Sequence, residues 1–412
     1  MATSPLTNPG HAAFAYPDFL RYQIARFCIV TSLEMLSVAV GWQVYDITHR
    51  ALDLGLVGLA QFLPGIFLFL VSGHTADRFD RRKLLIVCYS GFALCSALLL
   101  AVSSLRAVYP IYAVLLLLGV VRSFNGPVSR SLLPQLVSEQ HFPNAVAWNS
   151  SIFQTATILG PALGGLVYAF FRGASAVYVT SFLVSIAAVL STLRIKVRMK
   201  SRPPELVNWT TVLAGFRYIW HQKIILGSIS LDMFAVLLGG SVALLPVYAR
   251  EILHTGPWGL GLLRSAPGVG ATVMAVLLAH RPLRKHVGAT MLWCVAGFGV
   301  FTIIFAVSRS IVLSMVALLF VGATDMVSVV IRGTLVQLGT PDSMRGRVNA
   351  VDMLFIGVSN EFGEFESGLT AHWFGTVPAV VLGGIGTLIV IVIWAGIFPE
   401  LRKADRITGV QS

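Results

Sequence analysis

The sequence is poor in charged residues, which occupy 12% of its 412 positions, whereas soluble proteins carry about a quarter. The 18 Asp and Glu and 30 Lys and Arg are too few to cover the two or three domains that a soluble chain of this length would form. Most soluble enzymes are therefore excluded. Because 56% of the residues are hydrophobic, the composition indicates a membrane protein.

Metal-binding and nucleotide-binding patterns are also lacking. The nine histidines are scattered singly, so the chain offers no imidazole cluster for a metal. The Gly-x-x-x-x-Gly-Lys-Ser/Thr loop of ATPases is absent. We therefore expect no metal, no other cofactor and no enzymatic activity. A disulfide framework is likewise not indicated by the four cysteines, which lie in apolar stretches without paired spacing: Cys28, Cys88, Cys95 and Cys294.

The net charge of +12 does not indicate a nucleic-acid partner, because the positive residues lie between long apolar runs. They concentrate in alternate loops and near both ends of the chain. Cytoplasmic loops of membrane proteins carry an excess of Lys and Arg, so both termini are predicted to be cytoplasmic, in a plasma membrane or bacterial inner membrane. The opposite loops hold few basic residues: Arg50, Arg106, Arg172, Arg250 and Arg309.

Hydrophobic runs long enough to cross a bilayer, about 20 residues each, recur along the chain. They predict twelve helical spans, near 21–45, 53–74, 83–104, 108–131, 144–169, 174–194, 224–248, 257–280, 287–308, 311–337, 348–372 and 376–398. Three regions result: an N-terminal six-helix bundle at 1–194, a cytoplasmic linker at 195–223, and a C-terminal bundle with its tail at 224–412. Apolar residues from Trp209 to Trp220 recur at helical spacing, which predicts an amphipathic helix in the linker.

The two halves repeat each other in the same order, at an offset near 203 residues. Val44-Tyr45 matches Val247-Tyr248, and Pro64-Gly65 matches Pro267-Gly268. Six spans repeated in parallel predict an all-α membrane protein of two bundles related by an axis along the membrane normal. This arrangement is typical of alternating-access transporters that bind substrate between the halves.

Two motifs carry a family resemblance. The loop Gly73-His74-Thr75-Ala76-Asp77-Arg78-Phe79-Asp80-Arg81-Arg82-Lys83 resembles the G-x-x-x-D-R-x-G-R-R loop of the major facilitator superfamily, with Asp80 in place of glycine. In span 5, Gly160-Pro161-Ala162-Leu163-Gly164-Gly165 resembles the antiporter motif of that superfamily, with Ala156 replacing its first glycine. The resemblance covers the whole chain. Leu213 to Tyr218 and Arg345 to Val348 resemble the branch that contains the enterobactin exporter and several macrolide and drug exporters.

The resemblance implies a cytoplasmic gate. An acid at Asp77 can face the positive N-terminus of span 11, where Arg345 and Arg347 lie, and latch the cytoplasmic side closed. The second copy of the loop keeps its basic residues and lacks the acid, so the latch should be one-sided. The alternative is that the arginines act only as topology signals. The predicted gate residues are Gly73, Asp77, Arg78, Arg81, Arg82, Arg345 and Arg347.

The glycines of span 5 should clear a face where another helix backbone can approach closely, and Pro161 removes one helical hydrogen bond. Packing alone is one explanation. By family resemblance, the string Gly160, Pro161, Gly164 and Gly165 is instead associated with exporters that exchange substrate for protons.

Ionisable residues inside the spans are costly and usually face a cavity or a partner. Several carboxylates this close in a low dielectric cannot all stay ionised, so at least one should bind a proton reversibly. Alternatively, the acids form static ion pairs with arginines inside the spans, namely Arg26, Arg122, Arg264 and Arg332. Asp352 and Glu366 are two further acids inside the spans. The predicted proton-coupling and cavity residues are Glu34, Arg122, Asp232, Asp325, Glu361 and Glu364.

The repeat places Arg122 and Asp325 at equivalent positions with opposite charge. We hypothesise that they pair, directly or through substrate, in one access state, and that protonation of Asp325 loosens the pair. Pairing of Arg122 within its own half is the competing interpretation.

These observations predict a proton-driven exporter in the lipid bilayer, whose partners are protons and a mid-sized amphipathic small molecule such as a siderophore, an antibiotic or a drug-like metabolite. Three alternatives remain. The first is a lipid or lysolipid translocator, which would need a lateral opening between helices. The second is a nutrient importer of the same fold. The third, a membrane receptor or scaffold, is disfavoured because it would have no use for so many intramembrane charges.

Overall fold

The computed structural model describes residues 9–196, 209–281, 283 and 285–405, without the side chains at positions 9, 10, 69, 70, 77, 209–212, 342 and 343. The described residues are almost entirely helical and contain no β-strand. The helices form two compact units. Unit 1 comprises Met1–Gln43 and Ala60–Val207, and unit 2 comprises Val44–Leu59 and Asn208–Ser412.

Six long helices correspond to the first six predicted spans. They are α1 (Pro17–Thr48), α2 (Ala51–Arg78), α3 (Arg81–Val102), α4 (Val108–Leu132), α5 (Phe142–Phe171) and α6 (Ala174–Leu193). The amphipathic linker helix is α7 (Trp209–His221), as predicted, while residues 197–208 of the predicted linker lie outside the described part of the chain.

The second half continues with α8 (Lys223–Gly239), a single turn α9 (Leu245–Val247), α10 (Gly256–His280), α11 (Val287–Val307), α12 (Ile311–Leu338), α13 (Asp342–Phe374), α14 (Thr376–Ile397) and the short α15 (Pro399–Lys403). Within the described residues, eleven helical segments are long and apolar enough to cross a membrane. The helix at the remaining predicted span is α13, 33 residues long, whose acidic residues lower its hydropathy.

The span predicted near 224–248 is present as an apolar segment over Lys223–Ile252, but it is not a single α-helix. Helix α8 ends at Gly239, and the chain continues through extended Gly240 into short helical turns that reach Ile252. Two consecutive glycines favour this break, because glycine is a poor helix former. The Ser367 hydroxyl of α13 donates a hydrogen bond to the carbonyl of Gly240, which satisfies a backbone group that the break leaves open.

The internal repeat is visible in how the helices of each unit pack. In unit 1, α3 packs against α4 and α6; in unit 2, α11 packs against α12 and α14. Gly119 of α4 lies directly against Pro64 of α2, and Gly322 of α12 lies against Pro267 of α10. Because a Cβ atom at either glycine would overlap backbone of the neighbouring helix, the same close crossing is built twice.

Large apolar side chains cover much of the outer surface. Phe67 is 74% exposed, Trp293 78% and Val392 75%. Water would penalise such a surface, whereas lipid tails solvate it without cost, and the backbone is satisfied within the helices. These features bear out the predicted all-α membrane protein.

Residues 44–59 belong to unit 2, although the sequence places them in the first six-helix bundle. Gly55 and Gly58 in the first half of α2 pack against Phe365 and Glu364 of α13. Tyr45, near the C-terminal end of α1, donates a hydrogen bond from its hydroxyl to Glu251. These contacts hold the C-terminal end of α1 and the start of α2 within unit 2.

Candidate functional site

Unit 2 contains a buried cluster of ionisable and polar side chains. Asp232 comes from α8, Ser328 and Arg332 come from α12, and Asp352 comes from α13. None of the four is more than 7% exposed. An apolar cluster with side chains from α8, α11, α12 and α14, including Leu231, Val327 and Ile331, packs beside these residues. The cluster therefore lies in a region of low dielectric, where charge pairing matters most.

One guanidinium serves two carboxylates in this cluster. Arg332 donates through Nη1 to Oδ2 of Asp232, and Ser328 Oγ donates to the other oxygen of Asp232 at 2.9 Å. Arg332 Nε lies 3.8 Å from Oδ1 of Asp352, which is too long for a hydrogen bond. Both of these atoms are buried and have no hydrogen-bond partner in the described part of the chain. With both acids ionised, the three side chains carry one surplus negative charge.

A third acid adds to this surplus. Asp325 is half-buried and lies on the same face of α12 as Ser328 and Arg332, three and seven residues before them. It is close enough to Asp232 and Arg332 for their charges to act on it. The described residues contain no group of three or more His, Cys, Asp or Glu arranged to hold a metal ion.

Asp232 and Asp325, which the sequence places among the cavity residues, both lie in or beside this cluster. Sequence reasoning treated Arg332 only as a possible static partner, left Asp352 outside the proposed set, and missed Ser328. The spacing of Asp325, Ser328 and Arg332 at helical intervals was the available signal. No local pattern shows that Asp352, on another helix, meets Arg332.

In unit 1, Glu34 of α1 lies against the glycines of α5. A Cβ atom built on Gly160 would come 2.5 Å from Cβ of Glu34, and one built on Gly164 would come 2.8 Å from Cα of Met35. The close helix approach predicted for this motif is confirmed. Gly160, Pro161, Gly164 and Gly165 are all buried, and the absence of side chains on two of them sets the position of the half-buried Glu34.

The other predicted cavity residues are distributed over both units. Arg122 is exposed on α4 of unit 1, and Glu361 and Glu364 are half-buried on α13 of unit 2. Glu364 packs against Gly58 of α2, which also belongs to unit 2. Pairing between Arg122 and Asp325 stays a prediction.

The predicted gate loop of unit 1 is held by backbone contacts. Asp80 caps the N-terminus of α3, accepting hydrogen bonds from the backbone N–H groups of Arg82 at 2.9 Å and Lys83 at 3.2 Å. Arg81 donates to the carbonyl of Ser131 at 3.1 Å, and Arg82 donates to the carbonyl of Leu193 at 2.5 Å. The two arginines thus satisfy carbonyls in the last turns of α4 and α6.

The remaining gate residues are partly described. Arg345 donates to the carbonyls of Gln337 at 3.2 Å and Thr340 at 3.4 Å, where α12 ends. Arg347 approaches the sulfur of Met344 at 3.5 Å. Arg78 is exposed. Gly73 has open space around it, since no described atom of another segment lies within 4 Å of a Cβ built there. The side chain of Asp77 lies outside the described residues. A latch at Asp77 therefore stays a prediction.

Comparison with known proteins gives both a family and a fold. The profile of the family described as transmembrane secretion effector (MFS_3) matches residues 11–410. Proteins named enterobactin exporter EntS from Shigella boydii serotype 4 (strain Sb227) and Escherichia coli O1:K1 are 26% identical over 400 residues, covering 94% of this chain and 93% of theirs.

Solved structures of transporters share the fold. A D-xylose-proton symporter superposes with a TM-score of 0.70 at 14% identity, over 94% of this chain and 99% of its own. A bacterial homologue of the iron transporter ferroportin superposes with a TM-score of 0.72 at 13% identity, over 94% and 98%. The predicted twelve-helix major facilitator fold is confirmed.

Proposed function

The chain belongs to the transmembrane secretion effector family of the major facilitator superfamily, and from this membership we propose that it is a proton-coupled exporter of a mid-sized amphipathic small molecule. That it is a multi-pass membrane transporter follows from the family and the fold. The direction of transport and the coupling to protons are the further steps proposed here.

The observation that carries the proposal is the surplus of carboxylates around Arg332. Asp232 and Asp352 share this one guanidinium in a buried site, and Asp325 lies beside them. An uncompensated charge in such a site costs several kcal/mol, so binding one proton stabilises it. A group that is stabilised by a proton in one conformation and releases it in another is what antiport requires.

Protonation of Asp352 would weaken the attraction between α13, which carries Asp352, and α12, which carries Arg332. The ionised carboxylate attracts Arg332 Nε from 3.8 Å, and a proton on Asp352 removes most of that attraction. Because Asp232 and Asp352 lie on α8 and α13, the proton changes how strongly α12 is tied to each of these helices. Such a change can bias the equilibrium between two access states.

Export is favoured over import by the family description and by the relatives that are named exporters. The fold alone favours neither direction, since a D-xylose-proton symporter also shares it. Enterobactin, the molecule in those relatives' name, is therefore the first substrate to screen, followed by macrolides and dyes. A bacterial inner membrane with both termini in the cytoplasm is the location that suits this activity.

The test uses purified protein in proteoliposomes with a pH-sensitive dye inside. Addition of a transported substrate should drive proton flux, and Asp352→Asn should reduce that flux at least tenfold. Glu366→Gln is the matched control, because Glu366 lies on the same helix and accepts a hydrogen bond from Thr370 at 2.7 Å, away from Arg332. Substrate movement without proton flux would overturn the coupling and favour a lipid translocator or a passive facilitator.

A further inference from the structure

Arg26 is a guanidinium inside the membrane-spanning helix α1 of unit 1. Among the residues that the structure describes, its contacts are a long hydrogen bond to the hydroxyl of Tyr22, at 3.4 Å, and the ring of Phe153, whose centroid lies 5.3 Å from Cζ. Its Nε is buried and has no hydrogen-bond partner in the part of the chain that the structure describes. The side chain of Arg26 is half-buried overall, and within the described part of the chain its guanidinium has no anionic partner.

Two further polar side-chain atoms on α1 are also buried without a hydrogen-bond partner among the described residues. They are Gln23 Oε1 and Thr31 Oγ1. Gln23 Nε2 reaches Asn149 Oδ1 of α5 only at 3.5 Å, beyond the usual hydrogen-bond length. On a helix, positions 23, 26 and 31 fall within an arc of about 140°, so these groups follow one side of α1.

Among the residues that the structure describes, no acid of unit 1 forms an ion pair with Arg26. Asp18 pairs with Arg21 at 2.7 Å, and Asp80 caps α3. Glu34 lies eight residues further along α1, which corresponds to roughly 12 Å of helix. Arg332 of unit 2 shows the contrast, because it is held by its own two aspartates. An arginine at membrane depth that lacks an internal counter-ion indicates an external one.

The surroundings favour a particular kind of anion. Phe153 is 41% exposed and offers an aromatic face beside the guanidinium, and Asn149 supplies an amide that can donate to an oxygen. A carboxylate or phenolate oxygen matches the planar guanidinium, and an aromatic ring attached to it can pack on Phe153.

We infer that Arg26, with Gln23, Asn149 and Phe153, forms a substrate subsite that binds an anionic oxygen carried by an aromatic group, such as an aryl carboxylate or a phenolate. The inference rests on the proposed function to the extent that the ligand is a transported small molecule. It concerns binding alone and requires no proton gradient.

The test compares benzoate with benzamide, which has nearly the same shape and no charge. Binding to purified protein in lipid nanodiscs is measured by equilibrium dialysis at neutral pH. Benzoate should bind at least tenfold more tightly than benzamide, and Arg26→Gln should abolish this preference. Arg264→Gln is the matched control, because Arg264 is a half-buried arginine in membrane-spanning α10 of unit 2; it should leave the preference unchanged.

Two further variants keep the test decisive if Arg26→Gln does not fold. Arg26→Lys keeps the charge but loses the planar fork, so benzoate affinity should fall at least threefold. Phe153→Leu should weaken benzoate binding and keep its preference over benzamide. Equal binding of the two probes to the wild type, or unchanged benzoate affinity in Arg26→Lys, would overturn the subsite. Asp352→Asn separates this result from the proton coupling, since that variant should still bind benzoate.

Discussion

Arg332 Nε and Asp352 Oδ1 face each other at 3.8 Å, both buried, and neither has a hydrogen-bond partner within the described residues. A movement of about 1 Å would convert this ion pair into a hydrogen bond. The Asp232 side of the same guanidinium is already bonded. The guanidinium is therefore hydrogen-bonded toward α8 and not toward α13. If the cluster binds a proton as proposed, we expect α13 to be the helix that moves.

Removal of the guanidinium should destabilise the protein strongly. Arg332→Gln leaves Asp232 and Asp352 as buried acids without a cation, which costs about 3–5 kcal/mol. Thermal unfolding in detergent, followed by circular dichroism, measures the effect. Arg264→Gln serves as the control, and Asp232→Asn combined with Arg332→Gln should recover part of the loss. A decrease below about 1 kcal/mol for Arg332→Gln would contradict the assignment of a buried ion cluster.

Neutralisation of Asp325 should alter how transport depends on pH. An inward proton gradient should accelerate export by the wild type, because protons enter as substrate leaves. Asp325→Asn removes one carboxylate from the edge of the cluster and should flatten this dependence while the protein stays folded. Initial rates across the neutral pH range, with and without a gradient, measure it. An unchanged pH profile would remove Asp325 from the coupling machinery.

The hypothesis that Arg122 and Asp325 pair in one access state has its own test. Arg122→Gln and Asp325→Asn are measured singly and together for transport rate. If the two side chains interact, the double variant should lose less than the sum of the two single losses, expressed as free energies. Additive losses would favour the alternative that Arg122 pairs within its own half.

An added methyl group at Gly160 should disturb both packing and transport. In Gly160→Ala, the new Cβ would lie 2.5 Å from Cβ of Glu34, so α1 must shift. Overpacking of this kind costs about 1–3 kcal/mol. Gly396→Ala in α14 is the control, since no atom lies within 4 Å of the added Cβ. Equal stability and transport in the two variants would show that the α1–α5 approach is not constrained.

Asp80, which replaces the glycine of the superfamily loop, should act as a helix cap. Asp80→Ala removes the acceptor for the N–H groups of Arg82 and Lys83 and should cost about 0.5–2 kcal/mol. Asp80→Gly should cost only a few tenths of a kcal/mol, because glycine tolerates the N-cap backbone conformation. Thermal unfolding distinguishes the two. If alanine were no worse than glycine, the capping bonds would contribute little to stability.

The helices and their order could be predicted from the sequence, because each span depends on the summed hydrophobicity of neighbouring residues. A span is recognisable from about 20 consecutive apolar residues, and the repeat is visible in pairs such as Pro64 and Pro267. The break after Gly239 was missed, because the apolar run continues through it and only two glycines mark it. The acidic α13 was still recognised as a span by the same length criterion, because its acids are spaced among apolar residues.

The tertiary structure alone decided which charged side chains meet. Asp232, Arg332 and Asp352 lie on three helices, and their contact depends on the rotation and depth of each helix. Those quantities are set by packing across the unit, including close contacts at glycines such as Gly322. The sequence by itself determined that acids and arginines enter the membrane, and therefore that each needs a partner. Which ones find it among the described residues, as Arg332 does and Arg26 does not, is a property of helix packing.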